Sequence, residues 1–138
     1  IRAGERIVPY SSRVADQTVK DYFDGKPEAL EIFEIVADKI AATGPSDMTI
    51  GSQISFGRAR KFAWFWLYNV TNKNPNGVPH FMLAIDHQVD SDHVRSTEQI
   101  SKHRWNHQIV VRSKDDAKST WLSDLITLAC GYGFLSSN

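Results

Sequence analysis

The stretch FGRARKFAWFWLYNV, residues 56–70, decides the fold because aromatic side chains are denser there than in any other window of its length. From Arg60 onward its side chains alternate with the period of a β-strand, and the aromatic enrichment favours the same interpretation. The purely apolar set on one face is expected to lie under helices and consists of Ala63, Phe65 and Leu67. The opposite face is predicted to carry Arg60, Phe62, Trp64, Trp66 and Tyr68.

An amphipathic helix is predicted before this strand, over residues 27–43. Its apolar residues recur at steps of three and four, Pro27 suits a first helical turn, and Gly44 follows the last apolar position. A shorter helical turn is expected to begin at Thr18 and to end near Gly25, because Thr18 is a favoured capping residue.

A second amphipathic helix is predicted near the end of the chain. Ser113 with Asp116 three residues later is a capping signal, and an apolar stripe follows it. We expect this helix to run to about Cys130, because Gly131 and Gly133 come next.

Several shorter strands are predicted between the two helices, at residues 48–50, 53–56, 80–86 and 105–112. Gly51-Ser52 and Asn76-Gly77 are turn-forming pairs, so neighbouring strands are expected to run antiparallel. Residues 87–104 are polar and are expected to form a long loop. The sequence therefore predicts an α+β fold, with an antiparallel sheet of about five strands and the N-terminal and C-terminal helices packed on one face.

Composition fits one folded unit, since 138 residues with 41% hydrophobic side chains can bury one core. We expect an extended arm over residues 1–15 and a single α+β domain over residues 16–138. The 16 basic and 16 acidic side chains cancel, so net charge favours neither nucleic acid nor an anionic membrane as a partner. One cysteine excludes an internal disulfide, and no apolar run reaches the about 18 residues of a membrane span, so the cytoplasm is the expected location.

Three stretches of the chain also form a recognisable pattern. They are TVKDYFDGKP at residues 18–27, ISF at 54–56 with Arg58 and RKFA at 60–63, and HQIVVRSKDD at 107–116 followed by Trp121. Together they resemble a bacterial family described as a domain of unknown function, some members of which are labelled predicted transport proteins. The resemblance covers about residues 16–132 and implies a compact, helix-flanked β domain, found alone or attached to other domains. It implies no catalytic residue.

The second face of the predicted central strand is the leading candidate for a binding site. Guanidinium groups beside aromatic rings stack flat ligands and bind phosphates. Basic residues are also concentrated in residues 56–112, which contain eight Lys and Arg against four Asp and Glu. The predicted site consists of Arg58, Arg60, Phe62, Trp64, Trp66 and Tyr68, with His107 and Arg112 as neighbours.

The corresponding functional hypothesis is a non-catalytic binding module for an anionic or aromatic ligand, of which nucleic acid is one example. Two other interpretations of the same face stay open. The rings could be ordinary core beneath the 87–104 loop and the N-terminal arm, since large exposed apolar patches are uncommon on monomers. They could instead form the interface of a homodimer.

A metal-dependent enzyme is the alternative from another class, because histidines and carboxylates are dense in the polar loop. Its candidate ligands are His87, Asp90, Asp92 and His93. The chain contains no HExxH or CxxC motif, no G-x-S-x-G nucleophile motif, no G-x-G-x-x-G and no P-loop. The sequence thus predicts no catalytic residue and no cofactor.

Overall fold

The computed structural model describes residues 6–9 and 17–134. In these ranges the chain forms seven strands and four helices. The strands are β1 Arg6–Pro9, β2 Asp47–Ile50, β3 Ile54–Gly57, β4 Lys61–Tyr68, β5 Val78–Ile85, β6 Ser96–Ser101 and β7 Arg104–Val110. The helices are α1 Gln17–Tyr22, α2 Pro27–Ala42, α3 Lys114–Lys118 and α4 Thr120–Phe134.

All seven strands belong to one antiparallel sheet in the order β1-β2-β3-β4-β5-β7-β6. The predicted α+β class and the central position of the aromatic strand are confirmed. Two strands exceed the expected number of about five. One is β1, which lies within the predicted arm, and the other is β6, which lies within the predicted loop. The boundary proposed at residues 15 and 16 lies outside the described residues.

The core lies between the sheet and the helices, all on one side of β4. Phe33 of α2 contacts Phe65 of β4, with ring centroids 5.2 Å apart, and Phe65 contacts Phe81 of β5 at 5.1 Å. Phe23, directly after α1, packs against both Phe33 and Phe65. The prediction that Ala63 and Phe65 face the helices is therefore confirmed, and both side chains are fully buried.

A β-bulge at the start of β4 interrupts the alternation of its side chains, where β4 pairs with the end of β3. Phe56 lies opposite Ala63 and Gly57 lies opposite Lys61, so Phe62 is the extra residue between them. A bulge rotates the chain locally, and Phe62 turns to the helix side, where it is fully buried against α4. The prediction that Phe62 shares a face with Trp64 is wrong for this reason.

Helix α4 continues through both glycines that were expected to end it. Gly133 lies directly over the Phe62 ring, and a Cβ atom at this position would overlap that ring. The glycine therefore allows a close approach of α4 to the sheet and does not terminate the helix. The predicted cap at Ser113 is confirmed, since its Oγ accepts a hydrogen bond from the Asp116 N–H at 3.1 Å. It begins the short α3, and Ser119, in an extended conformation, separates α3 from α4.

The N-terminus of α2 is capped from a distant part of the chain. The preceding residue, Lys26, makes no capping hydrogen bond with its side chain. Asn76, in the connection between β4 and β5, instead accepts hydrogen bonds at Oδ1 from the N–H groups of Glu28 and Ala29, each at 3.1 Å. This contact satisfies two of the free N–H groups that every helix has at its start.

The segment between β5 and β6 crosses the helix side of the sheet. The Val89 N–H donates to Nε2 of His107 at 3.0 Å, and the His93 ring stacks on Trp121 of α4 at 4.1 Å. This segment therefore does not cover the face that carries Trp64 and Trp66. The interpretation of these rings as core beneath the 87–104 loop required such a cover. None of the helices in the described ranges is long and apolar enough to cross a membrane.

Candidate functional site

The candidate site is the face of the sheet that points away from the helices, called the open face below. Its middle row crosses the sheet in register as Thr49, Ser55, Trp64, Met82, Gln108 and Ser96. The next row contains Trp66 and His80, and Tyr68 follows. In the part of the chain that the structure describes, α2, α3, α4 and the turn after α1 all pack on the opposite side.

Trp64 is half-buried and carries a cationic neighbour. The Arg104 guanidinium carbon lies 5.3 Å from the Trp64 ring centroid, within the range of a cation–π interaction. Arg104 Nε also donates to Asn106 Oδ1 at 3.2 Å, which fixes the direction of the guanidinium. Sequence reasoning missed Arg104, because it was placed in the polar loop and its strand pairing could not be seen.

Trp66 and Tyr68 enclose His80, which β5 places beside them. The Trp66 and His80 rings stack with centroids 5.5 Å apart at 27°, and Tyr68 meets His80 edge-on at 5.5 Å. His80 Nδ1 lies 2.9 Å from the Val78 carbonyl oxygen, which holds the ring in place. Tyr68 itself is 62% exposed. The period-two pattern of residues 80–86 could have identified His80 and Met82 as neighbours of the tryptophans.

A shallow pocket of about 70 Å³ opens beside Trp64. The side chains of Thr49, Ser55 and Lys61 line it together with the β2–β3 turn at residues 51–53. The open face therefore combines aromatic surface with hydroxyl groups and a primary ammonium group.

Arg58 and Arg60 were predicted to lie beside the rings, and this is wrong. Arg58 donates through Nε to the Pro45 carbonyl at 3.0 Å and through a terminal nitrogen to Thr43 Oγ1 at 2.5 Å, beyond the end of α2. Arg60 donates through Nε to the Tyr132 carbonyl at 2.9 Å, near the end of α4. Since β4 begins only at Lys61, the alternation does not extend back to these arginines. Both donate hydrogen bonds to carbonyl groups at or just beyond helix ends.

His107 also lies on the helix side, opposite Leu83, and is fully buried. Its Nδ1 lies 3.1 Å from the Trp105 carbonyl, and its Nε2 accepts from the Val89 N–H. Nδ1 therefore carries the proton, and burial lowers the pKa of the imidazole. His107 is a neutral core residue that binds the β5–β6 segment, so its predicted place beside the tryptophans is wrong.

Arg112 is exposed just after the end of β7. Its backbone N–H donates to Asp116 Oδ2 at 3.2 Å, and its side chain borders a cleft of about 410 Å³ that also includes His93 and Trp121. The structure therefore places Arg112 beyond the end of β7, near His93 and Trp121, and not beside the rings of the open face.

The candidate metal ligands of the β5–β6 segment are committed to other contacts or stand apart. His87 Nδ1 lies 2.6 Å from Asp86 Oδ1, and His93 stacks on Trp121. Across residues 6–9 and 17–134, no group of three His, Cys, Asp or Glu side chains is placed to hold a metal ion.

Cys130 is buried in α4, and its sulfur accepts a hydrogen bond from Thr43 Oγ1 at 3.0 Å. Burial raises the pKa of the Cys130 thiol. This thiol is a core group, as its position in an apolar stripe predicts.

Comparison with known proteins agrees with the resemblance noted in the sequence. Residues 19–133 match a family model described as Domain of unknown function (DUF5655). No curated protein and no solved structure gives a significant match. The chain belongs to the DUF5655 family.

Proposed function

We propose that this member of the DUF5655 family is a non-catalytic binding module whose open face holds a flat aromatic ligand that carries negative charge. The observation that supports this proposal is the row Trp64, Trp66 and Tyr68. These rings occupy alternate positions of a central strand, on a face that no described helix covers.

Trp64 and Trp66 are half-buried and Tyr68 is 62% exposed, so part of each ring meets solvent on the open face. Side chains that serve only the core turn toward the helices, as Phe65 does. A sheet that places rings on its outer face offers a preformed stacking surface, where each stacked base contributes roughly 1–3 kcal/mol in single-stranded nucleic-acid complexes. A flat partner suits such a surface, because stacking needs contact between ring faces, and the contact with His80 helps to hold Trp66 in place.

Two cations near Trp64 support an anionic group on that ligand. Lys61 and Arg104 lie on the ring side of the sheet. Asp47 lies on the same face, two strands away from Lys61 in register, and Glu98 lies on β6, the strand next to that of Arg104. This balance gives no strong long-range field, so affinity would come from stacking and from local contacts. Long polyanions held by many phosphate contacts are therefore less well matched than a short or single-unit ligand.

Tryptophan fluorescence during titration with aromatic anions and with short single-stranded oligonucleotides tests the proposal. Trp64→Ala should weaken binding at least about tenfold, the loss expected for one stacking platform. Trp121→Ala is the matched control, because Trp121 is also half-buried but lies on the helix side against His93. Thermal melting of both variants separates lost binding from lost folding.

Two results would contradict the proposal. One is wild-type protein that shows no response to any of these ligands. The other is a concentration-dependent dimer, measured by light scattering, that Trp64→Ala converts to monomer. That second result would replace ligand binding with self-association through the open face.

A further inference from the structure

We infer that the ligand of the open face is a nucleotide, with its base stacked on Trp64 and its phosphate in the pocket beside that ring. This inference rests on the proposed function and specifies its ligand. The pocket adjoins Trp64 directly, since Thr49, Ser55 and Trp64 are neighbours in one cross-strand row. A base stacked on Trp64 and a phosphate in the pocket would therefore be close enough to belong to one small molecule.

The size of the pocket suits a phosphate group. Its volume is about 70 Å³. Liquid water occupies about 30 Å³ per molecule, so the pocket holds roughly two waters or one tetrahedral oxyanion. A second aromatic ring would not fit there, which separates the stacking surface from the polar end of the ligand.

The hydroxyl groups of the pocket are free to donate. Thr49 and Ser55 are only 7% and 5% exposed, yet both line the pocket. Within the described ranges, neither hydroxyl makes a side-chain hydrogen bond, and Ser46 is the buried hydroxyl that has neither a partner nor solvent contact. The Thr49 and Ser55 hydroxyls therefore point to solvent in the pocket, and both can donate to a phosphate oxygen.

Lys61 supplies the matching charge. Its side chain lines the pocket and forms no ion pair with any residue in the described part of the chain. The carboxylate of Asp47 lies on the same face, in register with Gly57 and Lys61, but does not line this pocket. A phosphate in the pocket would thus accept two hydroxyl hydrogen bonds and one charge-assisted hydrogen bond, with Asp47 as a nearby opposing charge.

Arg104 is a second cation near the ring. Its guanidinium lies 5.3 Å from the centroid of Trp64, so one cation is already in contact with the stacking surface. The base of a nucleotide has hydrogen-bond acceptors on its edge that a guanidinium can reach. A free mononucleotide and one nucleotide of a single strand share this chemistry, and the experiment distinguishes these two sources.

The test is a calorimetric titration of the full chain with 5′-AMP, adenosine, inorganic phosphate and a single-stranded oligo(dA). We expect 5′-AMP to bind about tenfold or more tightly than adenosine, as one charged hydrogen bond predicts. Lys61→Ala should reduce 5′-AMP affinity to that of adenosine and leave adenosine unchanged. Lys73→Ala is the matched control, because Lys73 is an exposed lysine in the β4–β5 connection and should alter neither affinity. Asp47→Asn should strengthen binding of 5′-AMP alone.

The outcomes separate the inference from the proposed function. If adenosine and 5′-AMP bind wild-type protein equally, the phosphate pocket is wrong while stacking on the open face stands. If none of these probes binds and other aromatic anions do, the nucleotide assignment is wrong. If no aromatic anion binds at all, both are wrong. Tighter binding of oligo(dA) than of 5′-AMP identifies a strand as the source, and the reverse order identifies a free nucleotide; either order supports the inference.

Discussion

Arg58, Arg60 and Phe62 lie on the opposite side of the sheet from Trp64, Trp66 and Tyr68, although these two sets of side chains were expected to share a face. The first set contacts the helix side, at or near the ends of α2 and α4. In the second set, Trp64 and Tyr68 keep strict alternation and lie on the open face. The bulge at the start of β4 turns Phe62, and the two arginines precede the first residue of the strand. Side-chain direction can therefore be inferred from alternation only where pairing is regular on both sides of a strand.

The largest expected effect comes from truncating one ring in each set. Phe62→Ala should lower the free energy of unfolding by about 3–5 kcal/mol, because it empties a fully buried site beneath α4. Trp66→Ala should cost at most about 2 kcal/mol, because part of that ring already meets water. Urea denaturation of both variants measures the contrast. Equal losses would show that the outer rings are as much part of the core as the inner one.

An intermediate effect is expected from the glycine that covers Phe62. Gly133→Ala adds a Cβ that overlaps the Phe62 ring, and such overpacking costs typically 1–3 kcal/mol. Gly131→Ala is an internal control, since nothing lies within 4 Å of its added Cβ and helix propensity should raise stability by up to about 1 kcal/mol. If thermal melting shows that both substitutions stabilise the protein, the close contact between α4 and Phe62 is wrong.

The smallest effect is expected from protonation of His107, the buried imidazole on the helix side. Its pKa in the folded protein lies below the ordinary value of 6.5, because burial opposes the charge and nearby His87 adds to this. The stability that it contributes is complete above that ordinary value, and it is lost as pH falls from there through the lower pKa of the folded state. Protonation would also remove the acceptor for the Val89 N–H.

Chemical denaturation between pH 8 and pH 4.5 measures this contribution. His107→Leu should be less stable at neutral pH and should lack the component of acid destabilisation that wild-type protein shows. If both proteins lose stability in parallel over this range, His107 is not the group responsible.

Much of the fold could be predicted because its signals are local. The apolar period of α2 defines a helix that differs from its expected range of 27–43 by one residue at the end. Strand β6 could not be predicted, because Ser96–Ser101 is an edge strand with mostly exposed side chains and no apolar alternation to reveal it. Its sequence is that of a polar loop, and only pairing with β7 makes it a strand.

The candidate site was predicted in part, for a related reason. Trp64, Trp66 and Tyr68 follow from the period of β4, whereas Arg104 reaches the site through the pairing of β7, and such pairing leaves no mark in the local sequence. The roles of Arg58 and Arg60 depend on where helices end in space. Sequence shows that such arginines are present but not which carbonyl groups they meet.

The cap that Asn76 provides for α2 has a consequence for how this domain can change. The β4–β5 connection is hydrogen-bonded to a helix 47 and 48 residues earlier in the chain. This contact restricts the number of residues that the connection can contain. Extra residues inserted before Asn76 would release the first turn of α2 and the outer end of the aromatic strand together. A protein engineer who wants to graft a loop onto this scaffold should therefore choose the turn at Lys102–His103, which is exposed and makes no hydrogen bond to any of the four described helices.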